Sequence, residues 1–157
     1  AAGPADERSP MKEKDPLRAL RALLDTIRVG VLCTVSKDAQ PRCRWMTVAA
    51  LPRVQGCFYC VTSKGSAKVK EIEANARVQW TFQTPTLDEI ISVCGQAEVL
   101  QNPGLKAEVL EALGPNLTIF WRVNPDPAKL VVIETVVDNA KLFRPMECLY
   151  VEKEAGT

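Results

Sequence analysis

The sequence predicts a mainly β fold with peripheral helices, built as a largely antiparallel sheet closed into a small barrel. Six or seven short runs rich in β-branched and apolar residues recur along the chain. Only three segments space their apolar residues by threes and fours, as one face of a helix does. The two kinds of segment do not alternate as a parallel, doubly wound sheet would require.

The elements follow in order. Residues 1–16 carry three prolines, seven charges and one large apolar side chain, Met11, which reads as a solvated tail with Met11 a candidate natural start. Leu17, Leu20, Leu24 and Ile27 then mark a helix face, and Pro16 suits its first turn. Strands are expected over 30–35 and 42–50, joined by the polar turn 36–41 as a hairpin, and over 57–61 after the break at 52–56. A loop from Thr62 to Gly65 leads into a short helix from Ser66 to about Asn75, with Val69, Ile72 and Ala76 inward. Strands over 78–84 and 90–100 flank Pro85. Asn102 and Pro103 open a third helix, facing inward with Leu105, Val109, Ala112 and Leu113, and Gly114-Pro115 ends it. Residues 129–137 are the most strand-like run; Asp138-Asn139 reads as a turn into a strand over 141–144, and 148–151 adds an edge. One domain over 17–151 is the expected organisation, since 157 residues are too few for two full domains.

Composition narrows the chemistry. The net charge of +1 gives no overall field for nucleic acid or anionic lipid, so a bound anion needs a local site. No apolar run approaches the roughly 18 residues of a spanning helix, and no signal-like stretch opens the chain, so the expected setting is cytoplasmic, with no membrane partner. The absence of histidine removes Ser-His and Cys-His nucleophiles, His-ligated zinc and proximal-His haem. No metal site is expected, and redox chemistry would fall to a bound cofactor. Cys33, Cys43, Cys57, Cys60, Cys94 and Cys148 lie mostly in apolar runs and read as buried, reduced thiols. The C-x-x-C of Cys57 and Cys60 lies on a strand, so its sulfurs point to opposite faces.

Two segments suit an anion. In Thr62-Ser63-Lys64-Gly65-Ser66-Ala67-Lys68, Gly65 and Ser66 offer backbone N–H groups at a helix start and Ser66 is a good N-cap. Lys68 sits in the first turn, where the helix dipole disfavours a cation unless an anion lies between them. A capped helix with a solvated lysine is the alternative. In Arg42-Cys43-Arg44-Trp45-Met46-Thr47, Arg42 and Arg44 share one strand face and suit a bidentate grip on phosphate. A solvated or cross-paired edge strand is the alternative there.

The order of these segments resembles the pyridoxamine 5'-phosphate oxidase-like family of FMN-binding split barrels, in its general-stress-protein branch. The resemblance rests on Arg-Trp-Met at 44–46, Thr-Ser-Lys-Gly-Ser-Ala-Lys at 62–68, Asn75-Ala76-Arg77-Val78, and the strand 92–99 with its Val93-Cys94-Gly95-Gln96-Ala97. Asp126-Pro127 and Phe143 fit as well, and the likeness runs from about Leu17 to Pro145. It implies a six-stranded antiparallel split β-barrel with flanking helices, and a homodimer with FMN at the subunit interface. By position, Arg44, Trp45, Met46 and Thr47 would run along the flavin and Thr62 would contact its ring or ribityl chain. Ser66 and Lys68 would hold the phosphate, with Arg42 and Ser63 as further candidate contacts.

The departures bear on function. Trp45 and Ala76 stand where the branch carries Pro. Ala67, Ile90 and Ala49 replace a second phosphate-binding basic residue, a flavin-contacting Gln and a substrate-binding Lys of the vitamin oxidases. Pyridoxine phosphate oxidation is therefore not implied. The leading expectation is an FMN-dependent oxidoreductase using a small-molecule electron donor or acceptor, with its catalytic residues unknown. A flavin-binding sensor, carrier or store, and a deazaflavin-binding relative, are the alternatives. Tyr59 reads as a core residue more than a proton donor. A weaker reading places Trp45, Trp80 and Trp121 as stacking platforms for nucleic acid.

Overall fold

The computed structural model describes residues 13–114 and 117–156. Most of the expected tail, with Met11, and Pro115 at the expected end of the third helix lie outside the described residues. Helix α1 (Pro16–Thr26) starts where Asp15 accepts hydrogen bonds from the backbone N–H groups of Leu17 and Arg18, with Pro16 in the first turn. Lys153 donates to Asp15, tying the helix head to the last strand, and this contact is the main cause holding the Asp15 carboxyl below its usual range.

Strands β1 (Val29–Val35), β2 (Pro41–Ala49) and β3 (Cys57–Ser63) precede helix α2 (Ala67–Ala74). Then come β4 (Arg77–Gln83), β5 (Ile90–Leu100), helices α3 (Pro103–Leu113) and α4 (Thr118–Val123), β6 (Leu130–Arg144) and β7 (Leu149–Glu154). All pairings are antiparallel, in the order β3-β2-β1-β4-β5-β6-β7, and β3 also pairs with β6. The β3–β6 ladder closes a six-stranded barrel and leaves β7 as an extra strand, so the mainly β barrel expected from the sequence is what forms.

Two expectations are corrected. The sequence suggested two strands separated by a turn at Asp138-Asn139, but β6 is one strand of 15 residues. Cys94 opposes Asn139 and Gly95 opposes Val137, which leaves Asp138 as the extra residue of a β-bulge. The polar pair bends a continuous strand and does not reverse it. Its first part pairs with β3 and its second with β7, along the same edge. The second correction is α4, a helix the sequence reading missed. Its six residues carry too little periodicity to register.

Inside the barrel, Leu32, Phe58, Trp80, Phe82, Ile91, Val93, Ile133 and Leu142 are sealed from solvent. Trp80 stacks on Phe82 at 5.6 Å, Phe58 meets both rings edge-on, and the Trp80 indole N–H donates to Thr135 Oγ1 at 3.1 Å. Leu20, Leu23 and Leu24 of α1 extend this core. A second core lies outside the wall, where Val109 and Leu113 of α3 cover Tyr59 and Val61 of β3 and Val132 of β6.

The bulge depends on Gly95, because a Cβ there would lie 2.4 Å from the Val136 carbonyl oxygen, a backbone atom that cannot rotate away. Gly95→Ala is therefore expected to destabilise the fold by about 3 kcal/mol in urea unfolding, the upper end for overpacking. A loss below about 0.5 kcal/mol would show that the two strands are not held this closely.

Candidate functional site

The site begins with a parting of strands. β2 pairs with β1 over seven residue pairs but with β3 over only two, Val48 with Cys60 and Ala49 with Tyr59. Along its other edge, β3 pairs with β6 through Ser63, whereas its pairing with β2 stops at Val48. Among the described residues, the β2 edge from Thr47 back to Pro41 has no strand partner on that side, because the β2–β3 ladder is only two pairs long. The loop after β3 and the head of α2 follow this parting. The loop is tied down by the Lys64 N–H, which donates to the Lys129 carbonyl at 2.9 Å.

Strand alternation decides which β2 side chains reach the site. Met46 and Val48 are buried in the barrel core, and Arg44 lies on their face nearer the barrel end. Trp45 points the other way and is 67% exposed, together with exposed Cys43 and half-buried Thr47. Arg42 is exposed beside the hairpin turn, and Ser63 is exposed at the end of β3. The structure brings Arg44, Thr62 and Lys68 together, with Ser66 at the head of the same helix. Trp45 and Thr47 lie on the opposite sheet face, and Met46 lies within the core.

The basic cluster is partly dehydrated. Arg44 Nη1 donates to Thr34 Oγ1 at 2.7 Å, and its Nη2 lies 3.4 Å from Glu71 Oε1. The Thr34 hydroxyl in turn donates to Glu71 Oε2 at 3.3 Å. Lys68 Nζ donates to buried Thr62 Oγ1 at 3.0 Å and, among the described residues, has no ion-pair partner. Burial, and then the nearby Arg44 charge, hold the Lys68 amine below its usual range. Two cations therefore share this end of the barrel with one carboxylate.

Ser66 adds a second signal. It occupies the N-cap position of α2, but its side chain makes no cap hydrogen bond. Its Oγ is buried and has no hydrogen-bond partner. Its backbone N–H, which the sequence offered to an anion, donates to the Ser63 carbonyl at 3.1 Å. Leaving a buried hydroxyl unpaired typically costs about 1–3 kcal/mol. An anion's oxygen at the head of α2 would satisfy it.

Sequence reasoning missed Thr34 and Glu71. Thr34 was detectable as the polar residue on the inward face of β1, after Gly30 and Leu32, and it is fully buried. Glu71 lies three residues after Lys68, one turn along α2. No local signal shows that it turns toward β2.

Other sequence-marked residues resolve as follows. Tyr59 is sealed under α3, and burial followed by Glu134 pushes its phenol up to about 12. Cys60 lies in the barrel core and Cys57 packs against the outer core, so their sulfurs do face apart. Burial raises the Cys60 thiol to about 12. The expectation of buried cysteines fails for Cys43, Cys94 and Cys148, which are exposed because they sit on outward strand positions or beside a turn. Trp80 is fully buried, so the three tryptophans do not form a common stacking surface. Among the described residues there is no cluster of three or more metal-ligating side chains, and no helix long and apolar enough to cross a membrane.

Among solved structures, the chain is similar to General Stress Protein 26 from Bacillus anthracis, with a TM-score of 0.67 and 22% identity over 85% of this chain and 95% of that one. It is also similar to a pyridoxamine 5'-phosphate oxidase-related, FMN-binding protein from Nostoc punctiforme, with a TM-score of 0.66 and 12% identity over 92% and 100%. A heme-binding protein from Mycobacterium smegmatis shares the fold with a TM-score of 0.71 and 14% identity, over 90% of this chain and 59% of that one. No curated protein matches the chain in sequence. The family described as "Pyridoxamine 5'-phosphate oxidase like" matches residues 15–153, and with the closed six-stranded barrel this establishes that the chain belongs to that family.

Proposed function

We propose that the protein binds FMN at the parting of β2 and β3 and acts as an FMN-dependent oxidoreductase. The observation that carries the reading is the buried, unpartnered Ser66 Oγ at the N-cap of α2, two residues before the half-buried Lys68. A phosphate offers oxygens to both groups and neutralises the excess positive charge of Lys68 and Arg44 against Glu71. The FMN-binding relative from Nostoc punctiforme supports the choice of ligand.

In this reading Ser66 and Lys68 hold the phosphate, and Arg44 adds charge from β2 while Glu71 and Thr34 keep its guanidinium in place. Thr62 positions the Lys68 amine, and the unpaired β2 edge lies along the flavin. The flavin, when bound, would supply the hydride or electron chemistry. The chain contributes binding, orientation and exclusion of water. A flavin carrier without turnover is the second reading, favoured by the sealing of Tyr59 away from solvent. Haem fits less well, since the chain has no histidine and the site is built for an anion.

The reading extends to assembly. The outer sheet face carries exposed Trp45, Val29, Phe143 and Tyr150, an apolar surface suited to a second copy of the chain. A homodimer with the flavin between subunits would bring Trp45 near the ligand, which its own barrel does not do. A reducing, cytoplasmic setting agrees with the free cysteines.

Two outcomes test the proposal. Purified protein is expected to show a flavin absorption spectrum and to release a chromophore with the mass of FMN. Colourless protein that takes up no added FMN would contradict the assignment, and a deazaflavin mass would revise the ligand. Lys68→Ala is expected to weaken FMN binding at least tenfold, since a hydrogen bond to a charged group contributes about 1.5–3 kcal/mol. Its ligand-free thermal stability should hold or rise, because the repulsion with Arg44 is removed. Unchanged FMN affinity would place the phosphate elsewhere.

A further inference from the structure

We propose that Cys33 and Cys43 form a redox modification site, a reversible disulfide across the β1–β2 hairpin made by thiol exchange with a small-molecule disulfide. The two residues are direct partners in the antiparallel register. The hydrogen-bond phase of the hairpin fixes how close they stand. The Ser36 N–H donates to the Gln40 carbonyl at 3.0 Å, and the Val48 N–H donates to the Arg28 carbonyl at 2.8 Å. These bonds mark the pairs 36 with 40 and 28 with 48 as hydrogen-bonded, and such pairs recur at every second residue. Cys33 with Cys43 therefore falls on a non-hydrogen-bonded pair, where Cα atoms stand about 4.5 Å apart and side chains lie closest. That separation is inside the window of about 4.4–6.8 Å that a disulfide spans.

The other cysteines lack this geometry. Cys94 is separated from Cys33 by Gln79 on the intervening strand, two strand spacings or about 9–10 Å away, beyond a disulfide's reach. Cys57 and Cys60 point to opposite faces of β3. The match of two cysteines to one close pair, with Cys43 open to solvent, is what distinguishes this site.

The pair is asymmetric in a way that orders the chemistry. Cys43 is exposed and Cys33 is half-buried. Burial, and then the neighbouring Cys43 thiol, push the Cys33 thiol above its usual range. Cys43 is therefore the sulfur that meets an oxidant first. Its thiolate attacks one sulfur of the small disulfide, forming a mixed disulfide and releasing one thiol. Cys33 then attacks the Cys43 sulfur, closes the protein disulfide and releases the second thiol. Two protein thiols are oxidised and one small disulfide is reduced to two thiols, so protons and electrons balance. The bridge would fasten β2 immediately beside Arg44. It requires no flavin, so it stands or falls separately from the cofactor proposal.

Oxidised glutathione is the probe. The reduced full chain, incubated with it under native conditions, alkylated and digested, is expected to yield one peptide pair joined through Cys33 and Cys43, whatever glutathione adducts form on the exposed Cys94 and Cys148. Dithiothreitol should restore both thiols. Cys33→Ser is expected to stop at a glutathione adduct on Cys43, and Cys43→Ser to leave Cys33 unmodified. Links to Cys94 or between two chains, a stable adduct on Cys43 of the unsubstituted protein, or no oxidation at all would overturn the proposal.

Discussion

A strand has two edges to hydrogen-bond, and the structure follows from how unequally β3 uses its own. β3 pairs with β6 over seven residue pairs and with β2 over two. The long ladder closes the barrel around Trp80, Phe82 and Phe58. The short one lets β2 diverge and leaves its edge unpaired for most of its length. The two edges of one strand thus frame the core and the opening. They also place the end of β3 and the head of α2 opposite the stretch of β2 that carries Arg44.

What the fold does with that opening is electrostatic. Arg44 and Lys68 converge where water is partly excluded, and Glu71 offsets only one of the two charges. Removing Arg44 would strand Glu71, whose side chain is 10% exposed, so the arginine is tied to the fold as well as to a ligand. Lys68 and Ser66 have no such second duty. Ser66 stands at a helix start without capping it, and Lys68 is held at some cost to its charged form. An unsatisfied hydroxyl and an uncompensated cation in the first turn of one helix are the arrangement expected when the compensating group is a ligand.

Much of this was legible in the sequence because it depends on short-range patterns. Alternation located the strands, the spacing of leucines located α1, and Asp15-Pro16 and Asn102-Pro103 marked helix starts that the structure keeps. Asp138-Asn139 misled because the same polar residues serve turns and bulges. Only the partner strand decides between them, through the close approach at Gly95. The cysteines misled for a related reason. An apolar strand facing outward from a barrel has the composition of a buried one, and exposure is set by which face the wall turns to the core. The loop at 62–68 stood out in the sequence as a candidate anion site, and the structure brings its Thr62 and Lys68 together with Arg44. The contribution of Thr34 and Glu71 was not legible there, since it is made by chain segments far apart in sequence.

The central claim is that a phosphate anchored by Ser66 and Lys68 holds the ligand, and a comparison of FMN with riboflavin, which lacks only that phosphate, tests it most directly. Calorimetric titration of ligand-free protein is expected to show FMN binding roughly a hundredfold or more tighter than riboflavin, since two hydrogen bonds to a charged group contribute about 1.5–3 kcal/mol each. Equal affinities for the two would contradict the account.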